Sequence, residues 1–279
     1  MHPQRYLLKF YYIGKKKYHG SQRQHRVLTI EDCIIKALKE KCYINTIESS
    51  GFEVASRTDK LVSARGAVFS VTTEKRPILM EINTALPREI GIWAHATVPT
   101  NFLSRFNALQ RHYKYIMPII GLKKYKNIDF KLMQKACDIL IGTHNFSNFA
   151  KKDNSVSLNK RTIDSIKMRI TSDFLIFDFK SRAFLRQQIR RMLKKILELG
   201  VGDITYSDFL ELFDSSKSIS YQPLRPDGLI LWDIIYPENI KFKVDKKSKE
   251  RMLSFFSEQE EKFVLKNFLF KLLRSHNNY

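Results

Sequence analysis

The sequence is short of the features that mark several large protein classes. Three cysteines, Cys33, Cys42 and Cys137, are too few and too scattered for a disulfide framework or a zinc site. The seven histidines show no metal-ligand spacing. No glycine-rich, phosphate-cradling loop occurs. No stretch approaches the ~18 uncharged apolar residues of a membrane-spanning helix. The opening MHPQRYLLKF lacks the basic, then apolar, then small-residue order of a signal peptide. No Pro/Ser-rich linker divides the chain. These absences predict a cytoplasmic protein off the membrane, with no metal and no organic cofactor. Acids are scarce too: 28 Asp and Glu stand against 49 Lys and Arg, a formal charge of +21. Such an excess attracts polyanions, nucleic acid first among them.

Hydrophobic residues make up 43% of the 279, enough for a real core and against wholesale disorder. RYLLKFYYIG (5–14) reads as an aromatic-rich strand, and a polar loop follows it. LTIEDCIIKALKEKCYI reads as a helix: Thr29 can cap it, and Ile34, Leu38 and Cys42 recur at helical spacing. GAVFSVTTE and IGIWAHATVP (90–99) are further strands. A second half repeats the rhythm. RHYKYIMPI (111–119) alternates as a strand, and DFKLMQKACDILIG (129–142) is a short helix ended by Gly142. IDSIKMRI and DFLIFDFKS (173–181) form a hairpin. AFLRQQIRRMLKKILELG (183–200) is a helix with Leu185, Ile189, Met192, Leu193 and Ile196 on one face. DGLILWDIIY (227–236) is a last strand. The reading is an α+β fold on antiparallel sheet, with a first half over 1–103, a second over 104–236 and a Lys-rich helical extension over 237–279.

Two places carry chemistry. From Arg182 to Lys195 there are six cations and no acid, with Arg186, Arg190 and Lys194 spaced as one stripe. A solvated helix face usually mixes signs for i,i+4 pairing, so a single-sign stripe suits a phosphate backbone. Arg182, Arg186 and Lys194 are therefore candidate RNA-binding residues, and Arg65 joins them. The second place is VASRTDKLVSARG (54–66), where the lone acid Asp59 sits between Arg57 and Lys60. It reads as a turn residue ion-paired with Arg57, or as an anionic carboxylate set among cations to act as nucleophile or base.

ASRTDKLVSARG resembles the active-site loop of the TruA-type tRNA pseudouridine synthases, in which an R-T-D triplet carries the catalytic aspartate and a V-[HS]-A run follows. Other segments agree in kind and order. YYIGKKKYHGSQRQ with LTIEDCIIKAL resembles the family's opening strand, G-x-Q-x-Q loop and T-[IV]-E helix. SRFNALQRHYKYI, GTHNFSNFA, FLIFDFKSRAFLRQQIRRML and RPDGLILWDIIYP resemble its later motifs. The likeness runs collinearly over about residues 5 to 240.

The resemblance implies the pseudouridine synthase fold: two ferredoxin-like α/β halves sharing a mainly antiparallel sheet around a central basic cleft. It implies isomerisation of uridine in tRNA, at positions 38–40 of the anticodon stem-loop, by a homodimer. Asp59 would be the nucleophile or base, Tyr113 the stacking aromatic and Arg190 the partner of Asp59. Leu229 would line the uracil pocket, and Arg57 would support the site. His144 reads as structural. Departures are visible: Ser56 and Leu61 stand where the family usually has glycine, and Arg182 where it has asparagine. The tail after Tyr236 has no clear counterpart. A non-catalytic RNA-binding or RNA-folding protein on the same scaffold is the alternative.

Overall fold

The computed structural model describes residues 2–119, 128–152 and 159–274. The aromatic run near the N-terminus forms β1 (Gln4–Tyr12), because side chains that alternate across a pleated strand can fill a core on each face. Phe10 and Tyr12 enter the main core, whereas Tyr11 joins a smaller core with Trp93, Met252 and Phe255. α1 (Ile30–Glu40) begins where the expected cap stands. Thr29 Oγ1 accepts the Asp32 N–H at 3.3 Å, and Asp32 returns the bond to the Thr29 N–H at 2.9 Å. The helix ends earlier than its periodicity suggests. Cys42 has φ 55°, a left-handed conformation that stops it, and its side chain is exposed rather than on the buried face.

The first half continues through α2 (Ile47–Ser50), β2 (Glu53–Val54), β3 (Ser63–Thr73), α3 (Leu79–Thr84) and β4 (Ile90–Val98). The second half runs β5 (Gln110–Pro118), α4 (Phe130–Leu140), β6 (Gly142–Asn145), β7 (Lys160–Ile170), β8 (Phe174–Ser181), α5 (Gln188–Gly200), α6 (Tyr206–Glu211) and β9 (Leu229–Ile235). β10 (Lys243–Val244) and α7 (Lys246–Arg274) follow; the end of the expected tail, 275–279, lies outside the described residues.

The strands make one ten-stranded sheet in the order β10-β4-β1-β3-β9-β5-β8-β7-β6, with β2 added on β3. Every pairing is antiparallel except the short parallel contact of β3 with β9, where Ser63 meets Ile230 and Ala64 meets Leu231. This is the α+β, mostly antiparallel architecture expected of the pseudouridine synthase fold. The parallel contact is the seam between the halves, and it brings the loop before β3 close to β9 and β5.

α5 starts five residues later than the sequence pattern suggests. Gln187 is left-handed (φ 60°), and the Gln188 side chain accepts the Leu185 N–H at 2.7 Å. Residues 183–187 are therefore a loop. This moves Arg186 off the helix, so it does not share a helical stripe with Arg190 and Lys194.

Candidate active site

The loop carrying Asp59 is braced from the polar segment after β1. Ser21 N–H donates to the Thr58 carbonyl at 3.1 Å, and Thr58 N–H returns a bond to Ser21 Oγ at 2.8 Å. The Tyr12 and Thr58 hydroxyls meet at 2.6 Å. Gly20 permits this approach: its φ is +91°, and a Cβ there would stand 2.9 Å from the Thr58 carbonyl oxygen. Leu61 takes the left-handed conformation itself, with φ 70°. The glycine usual at this position would adopt it without strain; leucine holds it at a cost of about 1 kcal/mol.

Asp59 opens on a cleft of about 740 Å³ whose walls come from both halves. Its carboxylate receives the Arg190 guanidinium at 2.6 Å, and the Arg190 side chain is 6% exposed against 32% for Asp59. Arg190 is aimed by a second bond, to the Leu224 carbonyl at 2.7 Å, while its own carbonyl accepts the Leu224 N–H. One guanidinium thus joins α5, the segment before β9 and the Asp59 loop. Tyr113 and Leu229, from β5 and β9, also line the cleft, both largely buried. Tyr113 packs edge-on against Phe184 at 5.5 Å. Burial pushes its phenol above the usual range, with the Ser56 hydroxyl bond pulling the other way. The phenol is therefore neutral and able to donate at physiological pH. The cations Arg23, Arg57, Arg105, Arg161 and Arg186 stand around the same cleft.

Asp59, Arg190, Tyr113, Leu229, Arg57 and Arg186 therefore meet in one place. Arg57 is exposed on the wall, and Arg190 takes the ion-pair role that sequence proximity suggested for Arg57. Arg182 lines the adjoining groove. Arg65 and Lys194 lie elsewhere. Strand alternation puts Ala64 in the main core and turns Arg65 to the opposite face, between Trp93 (5.7 Å) and Trp232 (4.8 Å). Lys194 pairs with Glu198 at 3.1 Å, and Lys195 pairs with it at 2.7 Å. Burial alone would raise the Glu198 carboxyl; the bonds from Lys195 and Lys194 outweigh it and hold it below the usual range. The acid that neutralises this stripe lies just beyond the run in which none occurs. His144 Nε2 donates to the Ile141 carbonyl at 3.0 Å, and the ring sits edge-on to Phe213, a structural position.

Sequence reading missed Arg111. It is buried, and its guanidinium bonds the carbonyls of Ala55 at 2.8 Å, Arg105 at 2.6 Å and Arg182. These belong to the Asp59 loop, the β4–β5 turn and the loop before α5. Desolvation lowers its pKa from the usual arginine value. The signal was its phase: on β5 it shares the buried side with Tyr113 and Tyr115, an odd place for a cation unless fully bonded.

A partly exposed carboxylate is thus held by a buried arginine in a cationic cleft that a buried tyrosine also lines. The sequence model described as tRNA pseudouridine synthase matches residues 136–237. The proteins named tRNA pseudouridine synthase A from Methanosphaera stadtmanae and Pyrococcus furiosus are 37% and 34% identical to this chain, over 91% and 94% of it and 92% and 93% of their own lengths. That from Methanothermobacter thermautotrophicus is 33% identical over 90% of this chain and 88% of its own. The chain belongs to the tRNA pseudouridine synthase family, whose members are isomerases.

Proposed function

We propose that this protein isomerises uridine to pseudouridine in tRNA, within the anticodon stem-loop at positions 38–40, with Asp59 as the nucleophile or base. The observation that carries the reading is the Asp59–Arg190 pair, closed across 131 residues of chain at 2.6 Å inside the cationic cleft. Isomerisation breaks the N-glycosidic bond, turns the uracil in place and rejoins it through carbon. It consumes nothing, so a carboxylate, an aromatic platform and a shielded pocket suffice. The target must leave its stack to reach Asp59. Tyr113 offers a ring and a neutral hydroxyl beside the base, Leu229 an apolar wall, and Arg57 and Arg186 the charge that meets phosphates. Arg190 keeps the carboxylate aimed by a charge-assisted bond. In this reading the enzyme is a cytoplasmic homodimer, with a tRNA arm bridging two protomers. The family resemblance and the charge of +21 support it.

The test is an unmodified tRNA transcript incubated with the protein, with pseudouridine quantified and mapped. Product at 38–40 is expected, and Asp59→Asn should reduce it to background while tRNA affinity stays within about threefold, because the cationic field remains. Binding without product would favour the non-catalytic RNA-binding alternative; product elsewhere in the tRNA would overturn the positional part alone. Sedimentation of the active species checks the dimer.

A further inference from the structure

The turn between β4 and β5 holds an aromatic ring in solvent although the rest of the turn is tied down. Ser104 is buried, and its hydroxyl lies 2.9 Å from both the Glu53 carbonyl and the Glu53 carboxylate. The same carboxylate accepts the Arg105 N–H at 3.2 Å. The Ser104 carbonyl accepts the Tyr236 hydroxyl at 2.7 Å. Asn107 closes the turn, donating its N–H to the Leu103 carbonyl at 2.9 Å and accepting the Leu103 N–H at 2.8 Å. At the tip Phe106 is 64% exposed, and Leu109 beyond it is 54% exposed. A phenylalanine gains from burial, and a rigid turn that holds one outward with Leu109 lining the same groove offers a ready apolar surface to an occupant.

The surroundings say which occupant. Phe106 and Leu109 face a groove of about 650 Å³ with Arg105, Lys160, Arg161 and Arg182. The one acid on its wall among the described residues, Asp164, accepts a bond from Gln110 at 2.7 Å. The groove shares Arg105, Arg111, Arg161 and Ala183 with the Asp59 cleft, so the two are continuous. An apolar ring among cations, opening from a uridine site, matches a nucleotide: a base has a π-face and its phosphate a negative charge.

We propose that this groove is a second nucleotide subsite, in which a base next to the target uridine leaves the stack and lies on Phe106 while its phosphates face Arg105, Arg161 and Arg182. The proposal rests on the reading of the chain as an RNA-acting enzyme. The fixed turn makes the contact cheap in ordering entropy, since Phe106 needs no backbone rearrangement to receive a base.

The experiment measures tRNA affinity by fluorescence anisotropy for the wild type, Phe106→Ala and Phe106→Tyr. Each is titrated against intact transcript and against transcripts with one abasic site walked through the single-stranded nucleotides. Phe106→Ala should weaken binding of intact tRNA about tenfold, and Phe106→Tyr should stay within about twofold of wild type. One abasic position should weaken the wild type by a similar factor and erase the effect of Phe106→Ala. Equal binding by wild type and Phe106→Ala, or an alanine penalty that persists on every abasic transcript, would overturn the subsite. The ring is exposed, so thermal stability should not change; a fall in melting temperature matched by a parallel loss with Phe106→Tyr would assign Phe106 to the fold instead. Pseudouridine formation is read on the same samples. Loss of base coupling with isomerisation intact sinks this proposal alone, and coupling without isomerisation sinks the proposed reaction alone.

Discussion

The Ser56 hydroxyl meets the Tyr113 hydroxyl at 2.9 Å, so the residue that departs from the family's usual glycine is bonded to a tyrosine that lines the Asp59 cleft. Tyr113 is 6% exposed, which makes that bond its chief means of satisfying a buried polar atom. Ser56→Ala should destabilise the protein by about 1 kcal/mol and slow turnover several-fold. In a Tyr113→Phe background the same change should cost less than about 0.5 kcal/mol, because the partner is already gone. Urea denaturation of the four proteins checks the coupling; equal costs in both backgrounds would remove it.

Arg190 is buried and Asp59 is not, so the two partners do not respond alike to loss of the pair. Asp59→Ala leaves an uncompensated cation in the interior and should destabilise by about 3 kcal/mol. Asp59→Asn still accepts the Arg190 bond and should cost less than half as much. Arg190→Lys should fold but turn over at least about a hundredfold slower, since an ammonium cannot span both the Leu224 carbonyl and Asp59 in the planar fork that Arg190 provides. Denaturation midpoints and single-turnover rates at saturating enzyme separate these effects.

Arg111 should be the most sensitive cation that no substrate is expected to touch. Its replacement by Met, of similar length, leaves the carbonyls of Ala55, Arg105 and Arg182 without their shared donor. A loss of about 2–4 kcal/mol and a disordered cleft rim are expected. Hydrogen exchange at residues 55–60 and 103–107 should accelerate more than in α1. Uniform acceleration would argue against a local clamp.

Acid should loosen the segment that braces the Asp59 loop, which Lys15 and Lys17 tie to Glu89. Burial alone would raise the Glu89 carboxyl, but bonds from Lys17, the backbone and Lys15 outweigh it and hold it at about 2, below its usual 4.5. A carboxyl with a depressed folded pKa stabilises the fold above its unfolded pKa. The Glu89 contribution is therefore complete at neutral pH and is lost as pH falls from about 4.5 to about 2. It amounts to about 2 kcal/mol after allowance for the exposed Lys15 and Lys17. Glu89→Gln should lower stability at pH 7 and flatten the acid limb of a stability–pH profile; an unchanged slope between pH 5 and 2 would contradict this.

Local pattern was enough wherever the physics is local. Thr29 with Asp32 announces a helix start because a capping box needs only adjacent residues. The alternation of β5 and of the β7–β8 hairpin is legible because strand period and turn chemistry are written in neighbouring residues. Asp59 stood out as a candidate through the R-T-D triplet, and the charge of +21 pointed to a nucleic-acid partner. The helix with Arg186 failed because Gln187 turns left-handed there, a choice made by the Leu185–Gln188 bonds rather than by propensity. The cation stripe failed at Lys194 because its neutralising acid lay outside the window read.

What only the tertiary structure decided is which distant groups meet. Sequence names a carboxylate and an arginine 131 residues apart; the fold closes them to 2.6 Å through the seam where β3 pairs with β9. Alternation along β3 turns Arg65 away from the cleft, but sheet order decides that it meets Trp93 and Trp232 there. The tertiary fold also brings three separate loops within reach of Arg111. The reason is physical: a side chain's direction follows from its own strand, but its partners follow from register and sheet order, which depend on the whole core being packed at once. Sequence by itself determined most of the longer elements, the charge and the candidate acid; packing determined which side chains surround it.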